Sequence, residues 1–140
     1  MKATFLYADM GEHFNTSHYR VLIPAKYLKQ AGHDLVVKHW RDATAADYGE
    51  VVLIERELSL NMINVMRSLK VKRIVLTFDD AYNLIPRSVR SFAYWKGERR
   101  ELDDFKSVCQ AADAVIVPSV ALAKDWKATV LPNYHDPELW

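Results

Sequence analysis

Residues 73–80 of the chain read Arg-Ile-Val-Leu-Thr-Phe-Asp-Asp, a mainly apolar run that ends in two adjacent aspartates. An apolar run of this length is typical of a strand buried in a parallel sheet. Ligands of open α/β sheets bind just beyond the carboxyl ends of such strands. Because two neighbouring carboxylates repel each other and are costly to desolvate, Asp79 and Asp80 are candidate catalytic residues. The alternative interpretation is that one of them only caps the turn or helix that follows.

Strands and helices alternate along the chain on both sides of this run. The apolar patterns predict strands at residues 3–8, 35–39, 51–54, 73–78, 114–117 and 128–131, and helices at 17–31, 59–70, 101–112 and 119–126. Ser17 and Ser119 are the expected N-caps, and Gly32 is expected to end the first helix. The alternation indicates βαβ units. We therefore expect a single Rossmann-like α/β domain over residues 1–140, with a doubly wound, mostly parallel six-stranded sheet and helices on both faces.

The composition of the chain is that of an ordinary globular domain. Of its 140 residues 50% are hydrophobic and 26% charged, and the formal net charge is +1. This balance gives no signature of nucleic-acid binding. The single cysteine, Cys109, excludes an internal disulfide, suits a reducing cytoplasm and is interpreted as core packing. No apolar run approaches the ~20 residues of a transmembrane helix. We therefore expect a cytoplasmic protein with no nucleic-acid partner.

Two segments depart from the regular pattern. Pro24 lies inside the first predicted helix and cannot donate to the carbonyl of Arg20, so this helix should kink or loosen near its start. A long insertion over 83–100 follows the fourth strand, and its part 87–100 holds five basic residues against the single acid Glu98, with three aromatic residues interleaved. Long loops inside compact domains are usually functional or disordered. Residues 87–100 are therefore interpreted as a contact for an anionic ligand, a membrane surface or a partner protein, or as a solvated loop.

Polar residues follow the first and fourth strands. If the sheet has the common order 3-2-1-4-5-6, these two strands are neighbours and their loops converge on one crevice. The first loop supplies Asp9, His13, Asn15, Thr16 and His18, with Arg20 one turn further on, and the second supplies Asp79, Asp80, Tyr82 and Asn83. This set suits a polar ligand with many hydroxyls, and a histidine beside a carboxylate can serve as a general base.

Other sites that this fold supports lack their motifs in the sequence. A dinucleotide site has G-x-G-x-x-G after the first strand, whereas this chain has the single Gly11 there. There is no P-loop motif and no nucleophile elbow. A receiver domain would place its acids after strands one and three. His13, His18 and the two aspartates match no standard zinc spacing. We therefore expect no cofactor and no metal.

Five segments together resemble a known family. They are Tyr19-Arg-Val-Leu-Ile-Pro-Ala-Lys-Tyr-Leu-Lys-Gln-Ala-Gly-His33, Val51-Val-Leu-Ile-Glu-Arg56, Phe78-Asp-Asp80, Ala111-Ala-Asp-Ala-Val-Ile-Val-Pro-Ser119 and Val130-Leu-Pro-Asn-Tyr-His-Asp-Pro-Glu-Leu-Trp140. In order and spacing they resemble the N-terminal domain of GT-B glycosyltransferases of the group 1 type. In that family the Pro-Asn-x-x-Asp segment closes the N-terminal domain before the chain crosses to the second domain.

The resemblance implies an acceptor-binding half-enzyme. In the family, the N-terminal domain binds a glycan or lipid-linked acceptor, and the C-terminal domain binds the nucleotide-sugar donor. A chain that stops near the start of the second domain is expected to be inactive alone and to bind no donor without that domain. Its last apolar residues, Leu139 and Trp140, are expected to pack back on the domain or to join a homodimer. The alternative is a non-catalytic Rossmann-like binding or interaction module.

The resemblance also suggests roles for the crevice residues. Asp79, Asp80 and His13 would face the acceptor hydroxyl, and Arg20 would hold an anionic group of the acceptor. The remaining acceptor-binding candidates are Asp9, Gly11, Asn15, His18, Tyr82 and Asn83. A lipid-linked acceptor would place the protein at the inner face of a membrane, in peripheral contact through residues 87–100.

Overall fold

The structure, a computed structural model, describes residues 2–9, 15–56, 59–81 and 100–133, and for residues 100–104 it describes the backbone alone. The sheet has six strands, which are β1 (Ala3–Tyr7), β2 (Leu35–His39), β3 (Val51–Glu55), β4 (Arg73–Thr77), β5 (Ala114–Val117) and β6 (Thr129–Val130). Every pair of neighbouring strands is parallel. The predicted six-stranded α/β, Rossmann-like fold is thus confirmed.

Four α-helices accompany the sheet in the described residues. They are α1 (Ile23–Gln30), α2 (Leu60–Ser68), α3 (Arg100–Ala111) and α4 (Val120–Trp126). A π-helical segment, His18–Leu22, precedes α1 directly. Within the described parts of the chain, no helix has the length and apolar character that a membrane crossing needs. Apart from the first helix, the predicted element ends agree with the structure to within one or two residues.

The order of the strands differs from the one assumed in locating the crevice. The sheet runs β2-β1-β3-β4-β5-β6, so β3 lies between β1 and β4. The connection from β2 to β3 contains two short 3₁₀ segments, Trp40–Asp42 and Ala45–Asp47. It crosses β1 on the face away from α1. The order reverses between β1 and β3, so the assumed order 3-2-1-4-5-6 does not hold and β1 and β4 are not neighbours.

Each face of the sheet has its own core. On one face, α1 and the segment before it cover β1 and β2, and the buried residues are Phe5, Val21, Ala25 and Leu35. On the other face, α2, α3 and α4 pack over β3, β4 and β5. Phe78, Phe105 and Trp126 meet edge to face there, with ring centroids 4.9 to 5.6 Å apart. Cys109 packs against this second core, as predicted, and burial raises the pKa of its thiol to about 12.

Two glycines meet backbone requirements that other residues would not. Gly49, just before β3, lies so close to the strand β1 that an added Cβ would be 2.3 Å from the carbonyl oxygen of Lys2. Gly32 ends the first helix with φ +87°, a left-handed conformation that glycine adopts without strain. The predicted stop at Gly32 is confirmed.

Candidate functional site

The first helix begins over the carboxyl edge of the sheet and is irregular there. Pro24 has no N–H to donate, and the N–H of Ile23 bonds to the carbonyl of His18, five residues back. The predicted loosening near Pro24 is therefore confirmed, and it takes the form of a π-helical turn. The extra residue in this turn lets both Arg20 and Val21 face the protein interior, where both are buried.

Arg20 belongs to this turn and is only 5% exposed. Its Nε and Nη2 atoms donate to Thr77 Oγ1 at 3.0 and 2.8 Å. Its Nη1 atom donates to the carbonyl oxygen of Leu131 at 2.6 Å and to Asn133 Oδ1 at 3.1 Å. Burial lowers the pKa of Arg20, and the charges of Asp79 and Glu55 oppose that shift. Most of the N–H groups of this guanidinium are therefore engaged within the protein.

Ser17 connects the helix to the ends of β1 and β3. Its hydroxyl donates to Glu55 Oε2 and accepts from the N–H groups of Ala8 and Asp9 at 3.2 and 2.9 Å. Ser17 has helical backbone angles and makes no capping bond, so the prediction of an N-cap at Ser17 is wrong. Asn15 does this instead, since its Oδ1 accepts from the N–H of His18 at 3.0 Å. The sequence pattern assigned the hydroxyl of Ser17 to a local cap. In the structure this hydroxyl bonds to the buried carboxylate of Glu55, which is distant in sequence.

Glu55 is the last residue of β3, and its side chain is fully buried. Its Oε2 atom also accepts from the N–H of Ala8 at 2.9 Å. Burial raises the pKa of the Glu55 carboxyl, while the bonds from Ser17 and Ala8 oppose the rise. Because β1 and β3 flank the point where the strand order reverses, Glu55 fills the crevice where this fold usually receives a ligand.

Asp9 and Arg56 form an ion pair above this crevice. Asp9 Oδ1 accepts from Arg56 Nη2, and Asp9 Oδ2 accepts from the N–H of Ser17 at 3.2 Å. Arg56 Nε also lies 3.5 Å from Glu55 Oε1. Arg56 has φ +50°, a left-handed conformation that is uncommon for residues other than glycine. The predicted ligand-binding residue Asp9 is therefore engaged within the protein.

His39, at the end of β2, completes the support of the loop after β1. Its Nε2 atom lies 3.1 Å from the carbonyl oxygen of Ala8, and its Nδ1 accepts from the N–H of Arg41 at 3.3 Å. These two contacts favour the neutral tautomer with the proton on Nε2. The N–H of Ala8 therefore bonds to Glu55 at the end of β3 and to Ser17 at the start of the helix, and its carbonyl lies against His39 of β2.

The two aspartates after β4 differ in their surroundings. Asp79 Oδ2 accepts from Thr16 Oγ1 at 2.8 Å, and its buried Oδ1 has no hydrogen-bond partner among the described residues. Asp80 is exposed. The pKa of Asp80 is raised by partial burial first and by the charge of Asp79 second, against the opposing charge of Arg56. The pair thus has one anchored and one solvent-facing carboxylate.

Several predicted residues meet at this edge, and others lie outside the described residues. Asp9, Thr16, Arg20 and Asp79 all take part in the contacts above. His18 is partly buried and packs edge to face against Tyr19, with ring centroids 5.4 Å apart. The predicted residues outside the described parts are Gly11, His13, Tyr82, Asn83, Leu139 and Trp140, together with 87–99 of the basic segment. No three His, Cys, Asp or Glu side chains lie close enough to bind a metal within the residues that are described.

Sequence reasoning missed Glu55, Arg56 and His39 as members of this site. The signal for the first two was present, because a Glu-Arg pair directly follows the apolar run 51–54, as Asp79-Asp80 follows 73–78. The assumed strand order drew attention to the loop after β4 instead of the loop after β3. His39 lies within a predicted strand, and only the tertiary structure shows its contact with Ala8.

A separate cleft of about 440 Å³ lies at the opposite, amino edge of β5. Its lining includes Cys109, Asp113, Trp126 and Lys127, and none of the candidate site residues. Asp113 there is occupied by structural contacts, since it accepts from the N–H of Ile74 at 2.7 Å and from Arg67 Nη2 at 2.7 Å. The candidate site residues lie at the carboxyl edge, away from this cleft.

Comparison with known proteins adds no relative. No protein-family model, no curated protein and no solved structure matches the chain. The fold class is that of a doubly wound α/β domain, and the site is a polar cluster at the carboxyl edge of its sheet.

Proposed function

We propose that this chain is the acceptor-binding half of a glycosyltransferase, which transfers a sugar from a nucleotide-sugar to a glycan or lipid-linked acceptor. The observation that carries the proposal is the exposed carboxylate of Asp80, beside the anchored Asp79, at the carboxyl end of β4. Its raised pKa makes Asp80 a stronger base than an ordinary aspartate. A general base at this position would take the proton from an acceptor hydroxyl.

Asp79 would orient the acceptor. Thr16 holds one of its carboxylate oxygens, and the other has no hydrogen-bond donor among the described residues. A buried acceptor atom of this kind is stabilised by a donor, and a sugar hydroxyl supplies one. The proposal therefore gives Asp79 a binding role and Asp80 a proton-accepting role. His13 would be a second candidate base, as the sequence predicts.

The residues that follow β6 lie at the carboxyl edge, where a donor domain would contact this chain under the proposal. Arg20 holds Leu131 and Asn133 beside Thr77, close to the aspartate pair. In the family that the sequence resembles, the chain crosses to the donor domain after this Pro-Asn segment. A donor domain that follows it would face Asp79 and Asp80 and would supply the nucleotide-binding groups.

The resemblance and the basic segment also suggest where the protein acts. We place it in the cytoplasm, at the inner face of a membrane when its acceptor is lipid-linked. The five basic residues of 87–100, interleaved with aromatic ones, suit an anionic membrane surface. Binding of the chain to anionic vesicles, and its loss when these basic residues are replaced, would test this part of the proposal.

A second candidate function is a non-catalytic binding or interaction module. It is favoured by the internal contacts of three predicted ligand-binding residues. Asp9 pairs with Arg56, Asn15 bonds to the start of the helix, and Arg20 is occupied by Thr77 and the end of β6. In a module of this kind, the carboxyl edge would be a rigid surface and Asp80 would have no chemical role.

Titration by nuclear magnetic resonance with a panel of soluble mono- and disaccharides separates the two functions. If the chain binds acceptors, amide shifts should change around Thr16 and Asp79–Ala81, and Asp79→Asn with Asp80→Asn should abolish the change. Asp34→Asn is the matched control, because Asp34 is exposed at the opposite edge of the sheet. A folded protein that shows no change with any sugar would favour the interaction module.

A further inference from the structure

Arg20 connects two parts of the carboxyl edge that are distant in sequence. It bonds to Thr77 at the end of β4 and to Leu131 and Asn133 after β6. Four donor contacts of the guanidinium are used in this way, and all of the acceptors are neutral. The segment 131–133 is otherwise joined to the sheet through the N–H of Leu131, which donates to the carbonyl of Val117 at 2.8 Å. Arg20 is therefore a main attachment of this segment.

The charge of Arg20 is balanced by carboxylates that it does not bind directly. Thr16, one helical turn before Arg20, bonds to Asp79 at 2.8 Å, and Arg20 itself bonds to Thr77, two residues before Asp79, so the guanidinium and this carboxylate lie close together. The charges of Asp79 and Glu55 oppose the lowering of the Arg20 pKa by burial. The carboxylate of Glu55 already accepts hydrogen bonds from Ser17 and from the N–H of Ala8, and it lies 3.5 Å from Nε of Arg56. Asp80 is exposed and lies one residue further from Thr77 than Asp79 does. Asp79 is thus the counter-charge of Arg20 that adjoins the exposed Asp80.

We infer that Arg20 is a positioning residue that couples the charge of Asp79 to the attachment of residues 131–133. When Asp79 loses its charge or shares it with a bound cation, the buried guanidinium loses electrostatic support. Arg20 then favours solvent over its place beside Thr77. Leu131 and Asn133 lose their donor, and the segment is held less firmly.

This coupling is independent of any sugar, and its link to catalysis rests on the proposed function. If the segment leads to a donor domain, an acceptor bound at Asp79 would change how that domain is held over the site. Two sites would then be linked through one side chain, and each would bias the other by the same free energy. The coupling itself can be tested on the chain as it is.

Hydrogen exchange at the amide of Leu131 measures the attachment. Asp79→Asn should raise its exchange rate about fivefold, a size usual for coupling between neighbouring groups. Asp80→Asn is the matched control, with the same chemical change one residue away, and should leave the rate unchanged. Amides in the sheet centre, such as that of Val52, should not change in either variant and report that the fold is intact.

A second pair of variants separates coupling from a general loss of stability. In an Arg20→Gln background, Asp79→Asn should have no further effect on the Leu131 amide, because the charge that Asp79 supports is gone. If Arg20→Gln does not fold, Arg20→Lys serves instead, since its ammonium lacks the fork that reaches both partners and should weaken the effect. Equal effects of Asp79→Asn and Asp80→Asn, or an undiminished effect of Asp79→Asn in the Arg20 variants, would overturn the inference. Sugar binding enters none of these measurements, so their failure leaves the proposed function standing.

Discussion

At the scale of single residues, adjacent aspartates of identical chemistry have unequal environments. The sequence indicates only that Asp79 and Asp80 repel each other. In the structure, Thr16 donates to Asp79, and the charge of Arg20 lies nearby. The charge of Arg56 supports Asp80, but partial burial and the charge of Asp79 outweigh it and raise the pKa of Asp80. The electrostatic cost of keeping both carboxylates charged therefore falls mainly on Asp80.

The first prediction concerns the stability of the two aspartate variants. Asp80→Asn should leave the free energy of unfolding unchanged or slightly higher at neutral pH, because it removes a charge that the folded state disfavours. Asp79→Asn should lower it by about 1 kcal/mol, through the weaker bond from Thr16 and the lost support for Arg20. Urea unfolding of both variants measures the difference. A loss of several kcal/mol from Asp80→Asn would show that Asp80 is structural.

The pH dependence has a sign that follows from the raised pKa of Asp80. The folded state binds this proton more tightly than the unfolded state does. The stability from the protonated group is therefore present below the ordinary aspartate pKa of about 3.9 and is lost as pH rises through the higher folded value. The advantage of Asp80→Asn over the wild type in thermal melts should grow across this window. A constant difference at all pH values would contradict the prediction.

A second residue-scale prediction concerns Ser17. Ser17→Ala removes a donor to the buried Glu55 and an acceptor for the N–H groups of Ala8 and Asp9. It should lower the free energy of unfolding by about 2 to 3 kcal/mol, since buried polar groups lose partners. Ser119→Ala, which removes a helix cap to the N–H of Leu122, is the control and should cost about 1 kcal/mol. Equal costs would indicate that Ser17 acts as an ordinary cap.

At the scale of elements, periodicity predicted which segments form strands and helices but not the order of the strands. Apolar runs report burial, and β3 and β4 are buried in the same way, with patterns that do not identify their neighbours. The order depends on which face the connection over 40–49 crosses, which is settled by packing of residues such as Tyr48. The irregular turn before Pro24 was predictable because it depends on a single residue: proline has no N–H to donate, whatever its neighbours are.

The tight approach of two elements gives a third prediction. Gly49→Ala should destabilise the protein by about 3 kcal/mol, because the added Cβ would meet the backbone of Lys2 and the strands would have to move. Gly32→Ala should cost only about 1 kcal/mol, since it meets left-handed strain but no atom within 4 Å. Chemical unfolding of both variants tests the order of the two costs. A Gly32→Ala variant that is the less stable of the two would contradict it.

At the scale of the whole molecule, the fold was predictable from the sequence and the site only in part. Six apolar runs separated by helical patterns leave few alternatives to a doubly wound sheet. The site depends on which strand ends adjoin, so Asp79 and Asp80 were identified while Glu55 and Arg56 were not. The contact of His39 with Ala8 joins the ends of two strands, and no local sequence pattern shows which strand ends lie next to each other.

A fourth prediction concerns binding of nucleotide-sugars by the whole chain. Calorimetry with UDP- and GDP-sugars should show no binding tighter than roughly millimolar, about −4 kcal/mol. Under the proposed function the phosphate-binding groups would belong to a donor domain, and the sequence between β1 and the first helix has the single Gly11. Micromolar binding of a donor would overturn the half-enzyme interpretation.

The two outer strands of the sheet, within the described residues, bear on how copies of the protein associate. β6 comprises two residues, Thr129–Val130, and offers too short a row of backbone groups to template a further strand. β2 is longer, but its Lys38 forms an ion pair with Asp47 at 2.7 Å, and a strand added beside β2 would have to desolvate part of this pair. Strand-to-strand growth into a continuous intermolecular sheet is disfavoured at both ends.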